Sequence, residues 1–239
     1  MMNIFYRVRI TWTWFFLFLF STFSTQAGVM IGGTRIVYEG NKKEASILIS
    51  NPDNVPYLIQ SWLEGEAVFP ENVKAGLGSE FIITPPLFRL NADTTNALRI
   101  VKVGELPNDR ESVYWLNIKS IPTSDPDAQN QLLISVNTRI KLFYRPAELL
   151  QQDAATAYQR LIFSYQNGVL VAKNPTPFYV SLQTLMVDKH EVERPGMVAP
   201  FGEQRWGLTS MKLLPHASVT WSAINDFGGT TQGETRSLQ

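Results

Sequence analysis

Side chains suited to covalent or acid–base chemistry are scarce in this sequence. Cysteine is absent, which excludes disulfides, thiol nucleophiles and thiolate-bound metals. The two histidines, His190 and His216, both lie in the second half, with no candidate nucleophile beside them. No G-x-S-x-G, H-E-x-x-H or phosphate loop occurs, and Gly76-Leu77-Gly78 opens no βαβ unit. Asp125 and Asp127 flank Pro126, and Asp-Pro-Asp in a polar stretch is turn chemistry before it is a cation site. The expectation is therefore no catalytic residue, no metal, no cofactor and no small-molecule substrate. What remains is binding chemistry, and one segment stands out for it.

Gln131 to Arg145, QLLISVNTRIKLFYR, contains no Gly or Pro and is rich in strand formers. Leu132, Ile134, Val136, Thr138, Ile140, Leu142 and Tyr144 share one parity. Fully extended, the segment would span roughly 50 Å at about 3.3 Å per residue. That is well beyond the usual strand of five or six residues. A strand of this length is expected to overhang its sheet and offer unpaired backbone donors and acceptors. An ordinary core strand with a bulge is the plainer alternative.

The surroundings of this strand set its class. Basic and acidic residues number 21 each, so the chain has no basic excess for nucleic acid. Residues 1–27 carry Arg7 and Arg9, then an apolar core from Ile10 to Phe20, then small residues ending at Ala27. That layout predicts a cleavable secretory signal peptide rather than a membrane anchor, because the apolar core is about half of a spanning helix. Removing it leaves 212 residues with 19 basic and 21 acidic side chains. An exported chain without cysteine must close its cores by packing alone.

Short strands recur through the remainder. Thr34–Tyr38, Ala45–Ser50, Tyr57–Leu63, Glu80–Thr84, Ala97–Val103 and Val113–Ile121 are separated by turn signals such as Asn51-Pro52-Asp53-Asn54. The Thr84-Pro85-Pro86 run is a candidate for a cis peptide. Ala147–Arg160 then turns Ala- and Gln-rich, enough for one or two helical turns. Strands resume at Arg160–Tyr165, Val169–Ala172, Phe178–Val187 and Val219–Asn225. The expected fold is all-β, two immunoglobulin-like sandwiches: residues 28–148 with the long edge strand at 131–145, a linker at 149–159, and residues 160–239.

Seven motifs carry a family resemblance in order. They are Thr34-Arg35, Tyr57–Trp62 (YLIQSW), Thr84–Arg89 (TPPLFR), Asp109–Ser112 (DRES), Thr138–Pro146 (TRIKLFYRP), Asn174–Phe178 (NPTPF) and Ile224–Gly229 (INDFGG). Together they resemble the periplasmic pilus-assembly chaperones of the chaperone–usher pathway, the PapD-like family. The resemblance implies two immunoglobulin-like domains in an L or boomerang arrangement. It also implies donor-strand complementation. A pilus subunit is a sandwich lacking its last strand, and the chaperone supplies one by β-augmentation without ATP.

The resemblance implies a role for particular residues. Leu132, Ile134 and Val136 match the plugs that fill the subunit's groove. Arg35 and Lys141 match two cleft cations that anchor the subunit's C-terminal carboxylate, although by residue type alone they would be a solvated strand face. Lys141 has the opposite parity to the plugs, so a bulge or strong twist is expected between Val136 and Lys141. Glu111, Arg145 and Asp226 match an interdomain salt-bridge cluster. Leu58 matches a contact to the outer-membrane usher, with core packing as the competing role. Only eight residues separate Pro122 from Gln131, which resembles the short-loop subclass that serves rod-like fimbriae. The implied partners are pilus subunits and the usher, in the periplasm, with no membrane span and no nucleic acid. A fimbrial subunit or adhesin is the competing class, and a periplasmic hydrolase is more distant.

Overall fold

The computed structural model describes residues 28–65, 80–124, 132–188, 190–208 and 217–238. The expected signal peptide, Gly76-Leu77-Gly78, Asp125, Asp127, Gln131 and His216 lie outside them.

The described residues of the first half form a sandwich of nine strands. These are β1 (Met30–Ile31), β2 (Arg35–Glu39), β3 (Ala45–Asn51), β4 (Tyr57–Gly65), β5 (Phe81–Thr84), β6 (Leu87–Leu90), β7 (Thr94–Lys102), β8 (Ser112–Pro122) and β9 (Val136–Arg145). One sheet has the order β1-β3-β7-β5 and the other β2-β9-β8-β4-β6. The first strand pair is one chain segment that changes sheets. Met30 and Ile31 pair antiparallel with β3, whereas Arg35–Glu39 pair parallel with β9. Period-two alternation fills the space between the sheets. Ile47 and Ile49, Ile59 and Leu63, Leu98 and Ile100, Leu116 and Ile118, and Ile140 and Leu142 all point inward and are buried.

The second half repeats the plan with β10 (Ile162–Gln166), β11 (Val169–Lys173), β12 (Val180–Val187), β13 (His190–Glu191), β14 (Met197–Val198), β15 (Glu203–Gly207), β16 (Ser218–Ala223) and β17 (Glu234–Ser237). Sheet β10-β11-β15 faces sheet β13-β12-β16-β17, with β14 paired to β12. The β10–β11 hairpin turns through Asn167 and Gly168 at φ 52° and 80°. Asn-Gly is favoured there because both central residues need positive φ. Trp221 is fully buried at this core's centre, its ring 4.7 Å from that of Phe163 and its Nε1 donating to Tyr158 O at 3.0 Å.

The cis candidate and the helical turns are present as expected, and further elements add to them. β6 follows directly after Pro85-Pro86 and pairs with β4, and the Thr84–Pro85 bond is cis. β15 and β17 carry few strand formers and are held by pairing with β11 and β16. The helical turns are 3₁₀, at Ala147–Leu149 and Ala154–Arg160. Leu149, Ala157 and Tyr158 from this segment are buried in the second core. Both sandwiches also share a device built on Asn-Pro. Buried Asn51 donates to Val55 O (2.8 Å) and Asn91 O (2.9 Å) and accepts from Asp53 N (3.1 Å). Buried Asn174 donates to Phe178 O (2.7 Å) and Ala199 O (3.1 Å) and accepts from Thr176 N (3.0 Å). Each amide satisfies loop carbonyls that burial would otherwise leave unpaired.

Candidate functional site

The site begins with the two edges of β9. On one side β9 pairs with β8 in unbroken register from Val136↔Ser120 to Tyr144↔Ser112. On the other side it pairs with β2 only from Lys141 to Arg145. From Val136 to Ile140 that second edge carries no strand among the described residues. Leu132 and Ile134, 83% and 66% exposed, precede this stretch, and Val136 at its start is 54% exposed. They share the parity of Ile140, Leu142 and Tyr144, which are buried. The same strand face is thus core at one end and bare at the other. The strand itself spans Val136–Arg145, shorter than expected, with Leu132–Ser135 outside it.

The expected bulge between Val136 and Lys141 is absent, because the β8–β9 register has no shift there. Simple alternation explains both sets. Val136 is on the strand face of the core residues Ile140 and Leu142, and Lys141 is on the other face with Phe143, toward the second sandwich. Arg35 is the register partner of Lys141 and faces the same way. Its Nη1 donates to Ile224 O at 3.0 Å, while its buried Nε has no hydrogen-bond partner. The guanidinium lies 5.6 Å from the Phe143 ring centroid. Burial lowers the pKa of Arg35 from the ordinary arginine value, and Asp226 acts in the opposite sense. Lys141 Nζ lies 3.5 Å from Ser181 Oγ and 5.6 Å from the Trp115 ring centroid. Two cations therefore converge where β2 begins, at the head of the bare edge.

Further along the outward face, Arg145 joins the halves. Its Nε donates to Glu111 Oε1 at 2.7 Å, and its Nη1 and Nη2 donate to Asp226 at 2.8 and 3.1 Å. Glu111 is buried, and its second oxygen accepts from Tyr179 N at 2.8 Å. Glu111 N donates to Pro177 O at 2.9 Å. Burial raises the Glu111 pKa against the pull of Arg145 and the Tyr179 amide. For Arg145, burial acts downward, but Asp226 and Glu111 together hold its pKa above the ordinary value.

Leu58 is not with these groups. It is exposed on the outer face of β4, between Arg89 and Ile121. Ile121 lies six positions along β8 from Trp115, the partner of Lys141, or about 20 Å. Leu58 is exposed there and is not among the buried core residues. His190 is exposed on the short strand β13. Sequence reasoning missed the second sandwich's share of the cleft: Ser181, Tyr179, Pro177 and Ile224, the last two as backbone acceptors. Of these, Pro177 and Ile224 lay inside quoted motifs; Ser181 and Tyr179 had no signal. It also missed Arg139, which stacks over Trp115 at 4.3 Å and bonds Glu64 at 3.1 Å.

Comparison with known proteins agrees with this geometry. Residues 28–150 match the family described as pili and flagellar-assembly chaperone, PapD N-terminal domain. Residues 156–235 match the pili assembly chaperone PapD, C-terminal domain. The chain is 39% identical over 215 residues to a probable fimbrial chaperone LpfB of Escherichia coli O157:H7, covering 88% of this chain and 89% of that one. It is 38% identical over 214 residues to the chaperone protein FimC of Escherichia coli K12, covering 86% and 83%. Among solved structures it is similar to the E. coli chaperone DraB, with TM-score 0.73, 33% identity and coverage of 89% and 97%. It is also similar to a chain of the Salmonella enterica complex of SafA pilin with the SafB chaperone, with TM-score 0.77, 30% identity and coverage of 90% and 99%. The chain belongs to the PapD family of pilus-assembly chaperones.

Proposed function

We propose that this chain is a periplasmic chaperone that binds fimbrial subunits by donor-strand complementation and delivers them to an outer-membrane usher without ATP. The observation that carries this is the bare apolar half of β9 leading to paired cations. A subunit lacking one strand has a groove that needs alternate apolar side chains and a row of backbone partners. Leu132, Ile134 and Val136 offer the side chains, and the edge from Val136 to Ile140 offers the backbone. The related complex of SafA pilin with SafB supports a pilin as the kind of client.

The cations set the direction of the client strand. A strand lying on the bare edge continues the line of β2, which is parallel to β9. If the client runs parallel, its C-terminal carboxylate arrives at Arg35 and Lys141. If it runs antiparallel, its N-terminal ammonium arrives there and is repelled. Charge-assisted bonds to two cations favour the first arrangement and fix the register. In the same proposal, Glu111, Arg145 and Asp226 set the angle between domains 28–148 and 160–239, joined by 149–159. Leu58 contacts the usher from the far end of the sheet. Residues 1–27 direct export and are removed, and no described helix is long and apolar enough to cross a membrane.

The test is coexpression with the fimbrial subunit encoded beside this chain, purified by a tag on this chain. Wild type should yield a 1:1 complex. Arg35→Ala with Lys141→Ala should lose it while remaining folded. Equal subunit recovery with and without this chain would refute the proposal.

A further inference from the structure

Phe227 is 97% exposed, the most exposed of the large apolar side chains described. Single exposed apolar residues are common, but this one is held in place. Its turn is closed by the Ile224↔Thr230 bridge and by Asn225, whose Oδ1 accepts from Phe227 N at 3.0 Å and Gly229 N at 2.9 Å. The turn is fastened to the first sandwich on three points. Ile224 O accepts from Arg35, Asp226 accepts from Arg145, and Gly228 abuts Thr34 so closely that a Cβ there would lie 2.5 Å from Thr34 Oγ1. A rigid mount thus presents a phenyl ring that packs on nothing among the described residues.

Its location is beside the cation. Phe227 follows Ile224 by three residues, so its backbone stands within about 10 Å of the carbonyl that Arg35 holds. Phe227 also rims a cleft of about 150 Å³ between the sandwiches, into which Arg35 projects. Phe143, Phe178, Val180 and Ala223 supply apolar wall. Glu111, Arg145 and Asp226 also line it, paired with one another, so the cleft is open and mixed in character, with room for one side chain along its apolar wall.

We propose that Phe227 and the cleft it rims receive an apolar side chain from the client's C-terminal end. The terminus would then be recognised by its carboxylate and by the bulk beside it. This rests on Arg35 and Lys141 anchoring that carboxylate. The occupant is a peptide terminus, because the cation demands an anion and the bare edge of β9 delivers a strand end to the same place.

The probe is a labelled peptide of about ten residues, the C-terminal strand of the fimbrial subunit encoded beside this chain, titrated into the full mature chain. A second peptide has its last two side chains truncated to alanine. Phe227→Ala should weaken the first peptide about tenfold and leave the second unchanged, while Phe227→Trp retains affinity. The ring packs on nothing among the described residues, so both Phe227 variants should unfold at the wild-type midpoint. If Phe227→Ala stays within about twofold while Arg35→Ala with Lys141→Ala abolishes binding, this inference is overturned and the chaperone proposal stands. Equal weakening of both peptides also overturns it. Full binding by the double cation variant overturns both.

Discussion

Arg145→Met should uncouple the two sandwiches. In the wild type, the Arg145 and Glu111 side chains are 13% and 2% exposed and meet at 2.7 Å. Breaking such a buried pair from one side costs about 3–5 kcal/mol, because it strands a buried charge. The Asp226 side chain is 41% exposed, and that arm is worth about 1 kcal/mol at most. The loss is therefore about 4 kcal/mol, carried mostly by Glu111. It has a ceiling, since each sandwich keeps its own core and Glu111 can regain water by undocking. The cost cannot exceed the docking free energy. The assay is guanidinium unfolding followed by fluorescence, with Trp62 and Trp115 reporting the first sandwich and Trp206 and Trp221 the second, each pair read with the other pair replaced by Phe. The expected result is a single wild-type transition that splits in Arg145→Met, with a larger radius of gyration before unfolding. Asp226→Asn should shift the transition by no more than about 1 kcal/mol. A single Arg145→Met transition at the wild-type midpoint would refute this account of the cluster.

Further predictions follow from other contacts. Glu111 has a raised pKa in the folded state, so its protonation favours folding. The stability of wild type relative to Glu111→Gln should be greatest below the ordinary glutamate pKa and fall as pH rises through the folded value, as read by denaturation across an acid series. Ile134→Asp should abolish subunit capture in the coexpression assay while leaving the thermal midpoint unchanged, because Ile134 is 66% exposed in the free chain. Asn174→Ala should destabilise the second sandwich by about 3 kcal/mol, by leaving buried loop carbonyls unpaired; read in the Arg145→Met background, where the sandwiches unfold separately, the second sandwich's transition should move and the first's stay fixed. Gly228→Ala should cost about 1–2 kcal/mol of docking, since φ is 84° and its Cβ would strike Thr34. Scattering and denaturation together would measure that loss.

Much of the architecture is legible along the chain, and for a local reason. Alternation is a property of neighbouring residues, so Ile47 and Ile49, or Ile140 and Leu142, declare one face without any partner. Breakers are equally local, and Asn167-Gly168 and Pro146 mark ends where the structure has them. β15 and β17 were not legible, because Glu203–Gly207 and Glu234–Ser237 are strands only by virtue of the strands they pair with. The shared Asn51 and Asn174 device was visible as two turns but not as one arrangement, since its acceptors Asn91 and Ala199 lie 40 and 25 residues away.

The candidate site divides in the same way. Length, parity and the absence of Gly and Pro single out 131–145 from the sequence. The cations and the salt-bridge residues came only through resemblance, because an arginine on a strand looks the same whether it faces water or a cleft. Tertiary structure decides which half of β9 stays bare, since β2 changes sheets and covers only Lys141–Arg145. It also decides that Lys141 needs no bulge, that Leu58 faces solvent, and that Phe227 stands beside Arg35. Each of these depends on where distant strands end or where two sandwiches meet. Local periodicity sets a side chain's face, but only packing between distant segments sets what that face meets.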